Sequence, residues 1–162
     1  MSTKISNNFT LEEFYANSAT AKKLGISNMP TEADIKCIKE LVTNVLQPIR
    51  DKYNLPINVN CGFRCPKLNN AVGGAKSSQH MLGQAADISA TKTTNAVLFW
   101  CIYDMIKKGE IEVGQLIWEF GSKTEPGWIH VSTPYSKKNN ILRAIKNDKN
   151  TKYIIFDLKP LK

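Results

Sequence analysis

Histidine is close to absent from this chain: His80 and His130 stand alone against 22 lysines and arginines. Other absences narrow the field before those two are considered. No run of about 18 apolar residues occurs, so neither a membrane-spanning helix nor membrane insertion is expected. The opening stretch MSTKISNNFT lacks the apolar segment of a secretory signal, so no signal peptide is expected. The four cysteines, Cys37, Cys61, Cys65 and Cys101, form no C-x-x-C pair and sit in apolar stretches. They read as reduced residues of the interior, with a Cys61–Cys65 bridge left open. A cysteine zinc site is disfavoured, because no second pair closes the Cys61-x-x-x-Cys65 spacing. There is no biased tract, internal repeat or domain-splitting linker. At 42% hydrophobic and 22% charged residues, the chain is expected to fold as one domain over 1–162, and as a monomer.

Acidic residues are also in short supply, which leaves a net charge of +8 and a pI near 9.3. Such a surface attracts polyanions: nucleic acid, anionic membrane or anionic cell wall. The basic residues are scattered, so charge alone chooses none of these, and no specific nucleic-acid partner is expected.

Periodicity supplies the elements. Thr10 and Glu13 form a capping box before a short helix over 11–16, with Phe9 placed to staple onto Phe14. A helical turn over Thr20–Leu24 ends at Gly25. From Thr31, the residues Ile35, Ile38, Leu41, Val42, Val45, Leu46 and Ile49 recur at helical spacing, and Pro48 predicts a kink near the end. Ile57, Val59 and Cys61 alternate with Asn58 and Asn60 as in a strand. One helical turn is expected at 66–72 and a short strand in QAADISA. A second long helix is capped by Thr94 and stopped by Gly109. VGQLIWEFGSKTEPGWIHVS predicts a β-hairpin, and TKYIIFDL a late strand or extended tail. Lys137, Lys138 and the lysines after them read as a solvated basic tail. The class is α+β.

The histidines fall where this scheme places strands. In GWIHVS, alternation puts Trp128, His130 and Ser132 on one face. In AADIS, Asp87 faces away from Ala86 and Ile88. Gly83 lets the chain turn between His80 and Asp87, so the two can converge. Two imidazoles and a carboxylate with a fourth position open to water is the pattern of catalytic zinc.

Several segments resemble the M15 zinc peptidases, the D-Ala-D-Ala carboxypeptidase and phage endolysin group. Ser78, His80, Gly83, Ala85 and Asp87 fill the pattern S-x-H-x-x-G-x-A-x-D. Trp128 and His130 fill the later W-x-H, and FRCPKLNNAVGG is similar to the segment before the first ligand. The resemblance spans about residues 8–132, with 133–162 as a basic extension. It implies a small α+β domain of the hedgehog/DD-peptidase type, with an antiparallel sheet carrying Zn2+. The implied metal ligands are His80, Asp87 and His130. Arg64 is implied to hold a substrate carboxylate, which suits its forked guanidinium. Ser78 and Gln79 would touch substrate or orient His80. Trp128 would wall the cleft or belong to the core.

Many relatives place a general base three residues before the last histidine, where this chain has Gly127. Glu119 then becomes the expected base, on a rigid strand with Trp118 and Phe120 on the opposite face. The alternative is Glu125, in the turn and expected to be solvated. The resemblance implies a peptidase acting on peptidoglycan stem peptides, as a D,D-carboxypeptidase or an L-alanyl-D-glutamate endopeptidase. A phage or prophage endolysin, released to the wall through a lysis pore, is the expected setting. A non-catalytic wall-binding or virion module of the same fold is the alternative.

Overall fold

The computed structural model describes residues 2–135 and 137–160. Residues 136, 161 and 162 of the expected extension therefore lie outside the described residues. The first segment turns through a 3-10 helix, Leu11–Phe14, shorter than the expected helix, with the Thr10–Glu13 capping box formed. The Phe9 and Phe14 rings pack 6.3 Å apart. Helix α1 (Ala19–Leu24) ends at Gly25 in the left-handed region. Helix α2 (Glu32–Leu41) is capped by Thr31 and runs through a π turn, Val42–Leu46, into α3 (Gln47–Tyr53). Pro48 explains the π turn. It has no N–H, and its ring crowds the carbonyl four residues back. The rod therefore widens ahead of it, and the Gln47 N–H donates to the Val42 carbonyl five residues back.

Six strands follow, with two helices between them: β1 (Ile57–Cys61), α4 (Pro66–Ala71), β2 (Ala85–Ala90), α5 (Asn95–Lys107), β3 (Gln115–Glu119), β4 (Trp128–Ser132), β5 (Asn140–Asn147) and β6 (Asn150–Ile155). They form one sheet in the order β1-β2-β4-β3-β5-β6. Among the described residues every pair is antiparallel except β3 with β5, so the sheet is mixed and not purely antiparallel. The α2–α3 rod and α5 cover one face. Their Leu41, Val45, Leu46, Leu98, Phe99 and Ile102 are buried with Ile88, Ile129 and Trp118 from the sheet. Trp118 meets Phe99 edge-on at 5.1 Å.

Much of the segment expected as a solvated tail is β5, and it pairs with β6, where a late strand or extended tail was expected, in a hairpin that widens the sheet. Its pattern was hard to read because Arg143 stands at a core-facing position, paired with Trp118. The Arg143 side chain is mostly covered and donates to Asp157. No helix among the described residues is long and apolar enough to cross a membrane.

Candidate active site

Cross-strand register assembles the site on the face away from the helices. Asp87 of β2 pairs with His130 of β4, which pairs with Ile117 of β3. Paired residues share a face. Strand β1 joins this row through an irregularity. Val59 pairs with Ile88, yet Cys61, two residues on, pairs with Asp87. The extra residue of this bulge turns Cys61 onto the site face, off the face it was expected to share with Val59.

His80 comes from outside the sheet, on the 3-10 turn Gln79–Leu82. The turn ends at Gly83, whose φ is +67°, and a Cβ there would come within 2.5 Å of the Asp34 carbonyl. Glycine is thus required both for the turn and for its packing. His80 Nδ1 lies 2.7 Å from the Gly62 carbonyl. Because a carbonyl only accepts, Nδ1 carries the proton, and Nε2 keeps a free lone pair that can bind a metal. That Nε2 is 3.4 Å from Asp87 Oδ1. His130 Nδ1 approaches the same oxygen at 3.1 Å, and its Nε2 lies 3.4 Å from Gln79 Oε1. The two rings stand 5.1 Å apart. Two imidazoles and one carboxylate thus converge on one point.

Charge follows this geometry. Burial would raise the Asp87 carboxyl, but His80 and His130 outweigh it and hold it well below the usual range. Burial, with Asp87 adding to it, pushes the Cys61 thiol up to about 11. Glu119 behaves in the opposite way to Asp87. It is 6% exposed, and burial drives its carboxyl up to about 7, only partly offset by His130 and His80. Two carboxyls in one site are therefore held apart, one ionised and one poised near neutrality, which is how acid and base roles are divided.

A cleft of about 550 Å³ opens over this face. Arg64, Ser78, Gln79, His80, Asp87, Glu119, Trp128 and His130 all line it. Arg64 Nη2 donates to Ser78 Oγ at 3.3 Å, and the Arg64 N–H to the His80 carbonyl at 3.1 Å. Its buried Nε has no partner among the described residues. Trp128 faces the cleft and not the core, with its ring 5.4 Å from that of Phe120. Phe120 was expected opposite Glu119. Its φ of +53° breaks the alternation and brings its ring to the cleft. Glu125 is absent from the lining, and it is half-buried and tied down where a freely solvated turn residue was expected. Its two carboxylate oxygens accept from the Asn95 and Ala96 N–H groups at 2.8 and 3.0 Å, at the start of α5. An anion there satisfies free helix N–H groups and opposes the helix dipole.

Two further residues, Gly62 and Asn28, escaped the sequence reading, and Cys61, read there as an interior residue and set aside as a zinc ligand, stands in the site. Cys61 Sγ, a His80 nitrogen and an Asp87 oxygen lie within 4.8 Å of one another, a group able to hold a metal ion. Gly62 supplies the carbonyl that orients His80. A Cβ on it would meet the Phe14 carbonyl at 2.6 Å, and a glycine closing a strand was its signal. Asn28 is buried and ties the loops behind Arg64. It donates to the Tyr15 and Phe63 carbonyls and accepts from the Cys65 N–H. Nothing in its sequence neighbourhood marks it.

The Peptidase M15 family model matches residues 7–132. The chain belongs to the Peptidase M15 family. A 35-residue stretch is also 57% identical to the zinc D-Ala-D-Ala carboxypeptidase of Streptomyces albus G. That stretch is 22% of this chain and 14% of the relative, so the likeness covers a small part of either protein.

The donor set of this M15 chain fits a metal. His80 presents a free Nε2 with its tautomer fixed by Gly62, the arrangement seen around metal-ligating histidines. Asp87 is ionised and largely covered, and a charge there calls for a cation. Nitrogen and carboxylate donors of this kind suit zinc. The cofactor of this M15 chain is Zn2+.

Proposed function

We propose that the protein is a zinc-dependent peptidase that hydrolyses peptide bonds in bacterial peptidoglycan stem peptides. The observation that carries this reading is Glu119: a buried carboxyl with a pKa of about 7 on the strand beside His130, in the same cleft as Arg64. His80 Nε2, Asp87 Oδ1 and His130 Nδ1 are the proposed metal ligands. Zinc held there supplies acidification of water and polarisation of a carbonyl. Glu119 accepts the proton of the attacking water and delivers it to the leaving nitrogen, and a pKa near the working pH suits both transfers. Arg64 binds a substrate carboxylate through its fork. Ser78 holds the Arg64 guanidinium, Gln79 orients His130, and Trp128 walls the cleft. Either a D,D-carboxypeptidase or an L-alanyl-D-glutamate endopeptidase agrees with these roles. A phage or prophage endolysin reaching the wall through a lysis pore is the proposed setting.

The test joins zinc analysis with release of amino groups from purified sacculi, and mass spectrometry of the products names the bond. Zinc-dependent release of new amino termini is expected. Zinc binding without any release would overturn the enzyme and leave a wall-binding module of the same fold.

A further inference from the structure

The family match stops at Ser132, yet the cleft does not. Its far side is built by the β5–β6 hairpin, with Leu142, Thr151 and Tyr153 among the lining residues. Register explains why. The row that holds Trp128 and Glu119 continues to Ala144 and then Tyr153. The neighbouring row continues from His130 and Ile117 to Leu142 and Ile155. Between Glu119 and Tyr153 stands only the methyl group of buried Ala144, so the sheet forms a trough there. Tyr153 is 52% exposed and Ile155 82% exposed, large apolar side chains left uncovered on the cleft side. Burial, then the Glu119 and Asp87 charges, raise the Tyr153 hydroxyl, which agrees with a ring leaning into the trough.

Length turns this wall into a prediction about substrate. Three strand spacings separate β4 from β6, roughly 14 Å at about 4.8 Å each. An extended peptide covers about 3.3 Å per residue, so the trough takes about three or four residues beyond the bond over His130 and Glu119. Arg64 flanks the bond on the opposite side.

We propose that the β5–β6 hairpin is a substrate-binding wall, that Tyr153 contacts the peptide about three residues from the scissile bond, and that it makes the enzyme select long stem peptides over short ones. This rests on the peptidase reading above.

The experiment compares kcat/KM of the zinc-loaded full chain on a stem pentapeptide and on the dipeptide spanning whichever bond it cuts. Tyr153→Ala should lower kcat/KM on the pentapeptide about tenfold more than on the dipeptide, through KM, with Tyr153→Phe recovering most of the loss. Thr151→Trp, which narrows the same wall, should also disfavour the longer peptide. This keeps the test open should Tyr153→Ala fold poorly. Equal losses on both substrates would overturn the wall. Absence of hydrolysis of any peptide by the unaltered protein would instead defeat the peptidase reading. The wall would then be read from pentapeptide binding, followed by tryptophan fluorescence: weaker binding in Tyr153→Ala supports it, and unchanged binding overturns it.

Discussion

Glu119→Gln should make the metal-free protein more stable and the zinc-loaded protein nearly inactive. Burial raises the Glu119 carboxyl from 4.5 to about 7. Below about pH 4.5 both the folded and the unfolded chain hold the proton, and the residue costs nothing. As pH rises, the unfolded chain ionises first, so stability falls through the window from 4.5 to about 7. Above it the folded protein carries a desolvated charge, and at about 1.4 kcal/mol per pH unit the full penalty is about 3 kcal/mol. Glutamine has nearly the same shape and never ionises. The variant should therefore exceed the parent by less than about 1 kcal/mol near pH 5 and by about 3 kcal/mol near pH 8. Urea unfolding of both proteins at the two pH values measures this difference. Contributions from His80, His130 and Asp87 are common to both and cancel to first order. Zinc should shrink the gap, because a nearby cation favours the carboxylate. Activity should fall about 10²- to 10⁴-fold, the usual cost of removing a general base, and mainly in kcat. Equal stability near pH 8 would refute the buried-charge argument, and an unchanged kcat would refute the base.

Metal analysis separates two ligand sets: His80→Ala and His130→Ala should lose zinc and Asp87→Ala should bind it far more weakly, while Cys61→Ala keeps it. Full zinc in His130→Ala with loss in Cys61→Ala would transfer the third position to the cysteine. Arg64→Ala should keep zinc and fold yet lose activity, with Arg64→Lys a poor rescue because lysine lacks the fork; unchanged kcat/KM in Arg64→Ala would reject the role. Glu125→Gln should lower stability by about 1 kcal/mol, as losing a charged partner at a helix start does, with a normal rate per folded molecule. A large fall in its kcat would place Glu125 in the chemistry after all.

The sequence reading worked best where one physical rule acts alone. Thr31, Thr94 and Gly25 mark helix ends because capping is local, and the hairpin around Gly127 was visible through plain alternation. Asp87 and His130 were legible for the same reason, since a strand's period fixes which side chains share a face. What stayed hidden depends on departures from the period or on distant partners. The bulge before Cys61 and the left-handed Phe120 each turn a side chain to the other face, and neither leaves a mark in composition. Glu125 looked like a solvated turn residue because the helix start it serves lies about 30 positions earlier. Arg143 disguised β5, since a charge at a core-facing position reads as a loop until Asp157 and the hairpin are in place.

The parallel seam between β3 and β5 carries one more consequence. A chain cut after Ser132 would keep the whole family-matched segment and both histidines. It would also strip β3 of its outer neighbour. Leu116, Ile117 and Trp118 would then form a bare border, with backbone groups that now pair with Ile141, Leu142 and Arg143 left open. Apolar borders of this kind recruit strands from other molecules. The hairpin thus works as a selvedge, the finished margin that keeps a woven edge from unravelling, and in solution the trimmed protein should clump before its chemistry could be assayed.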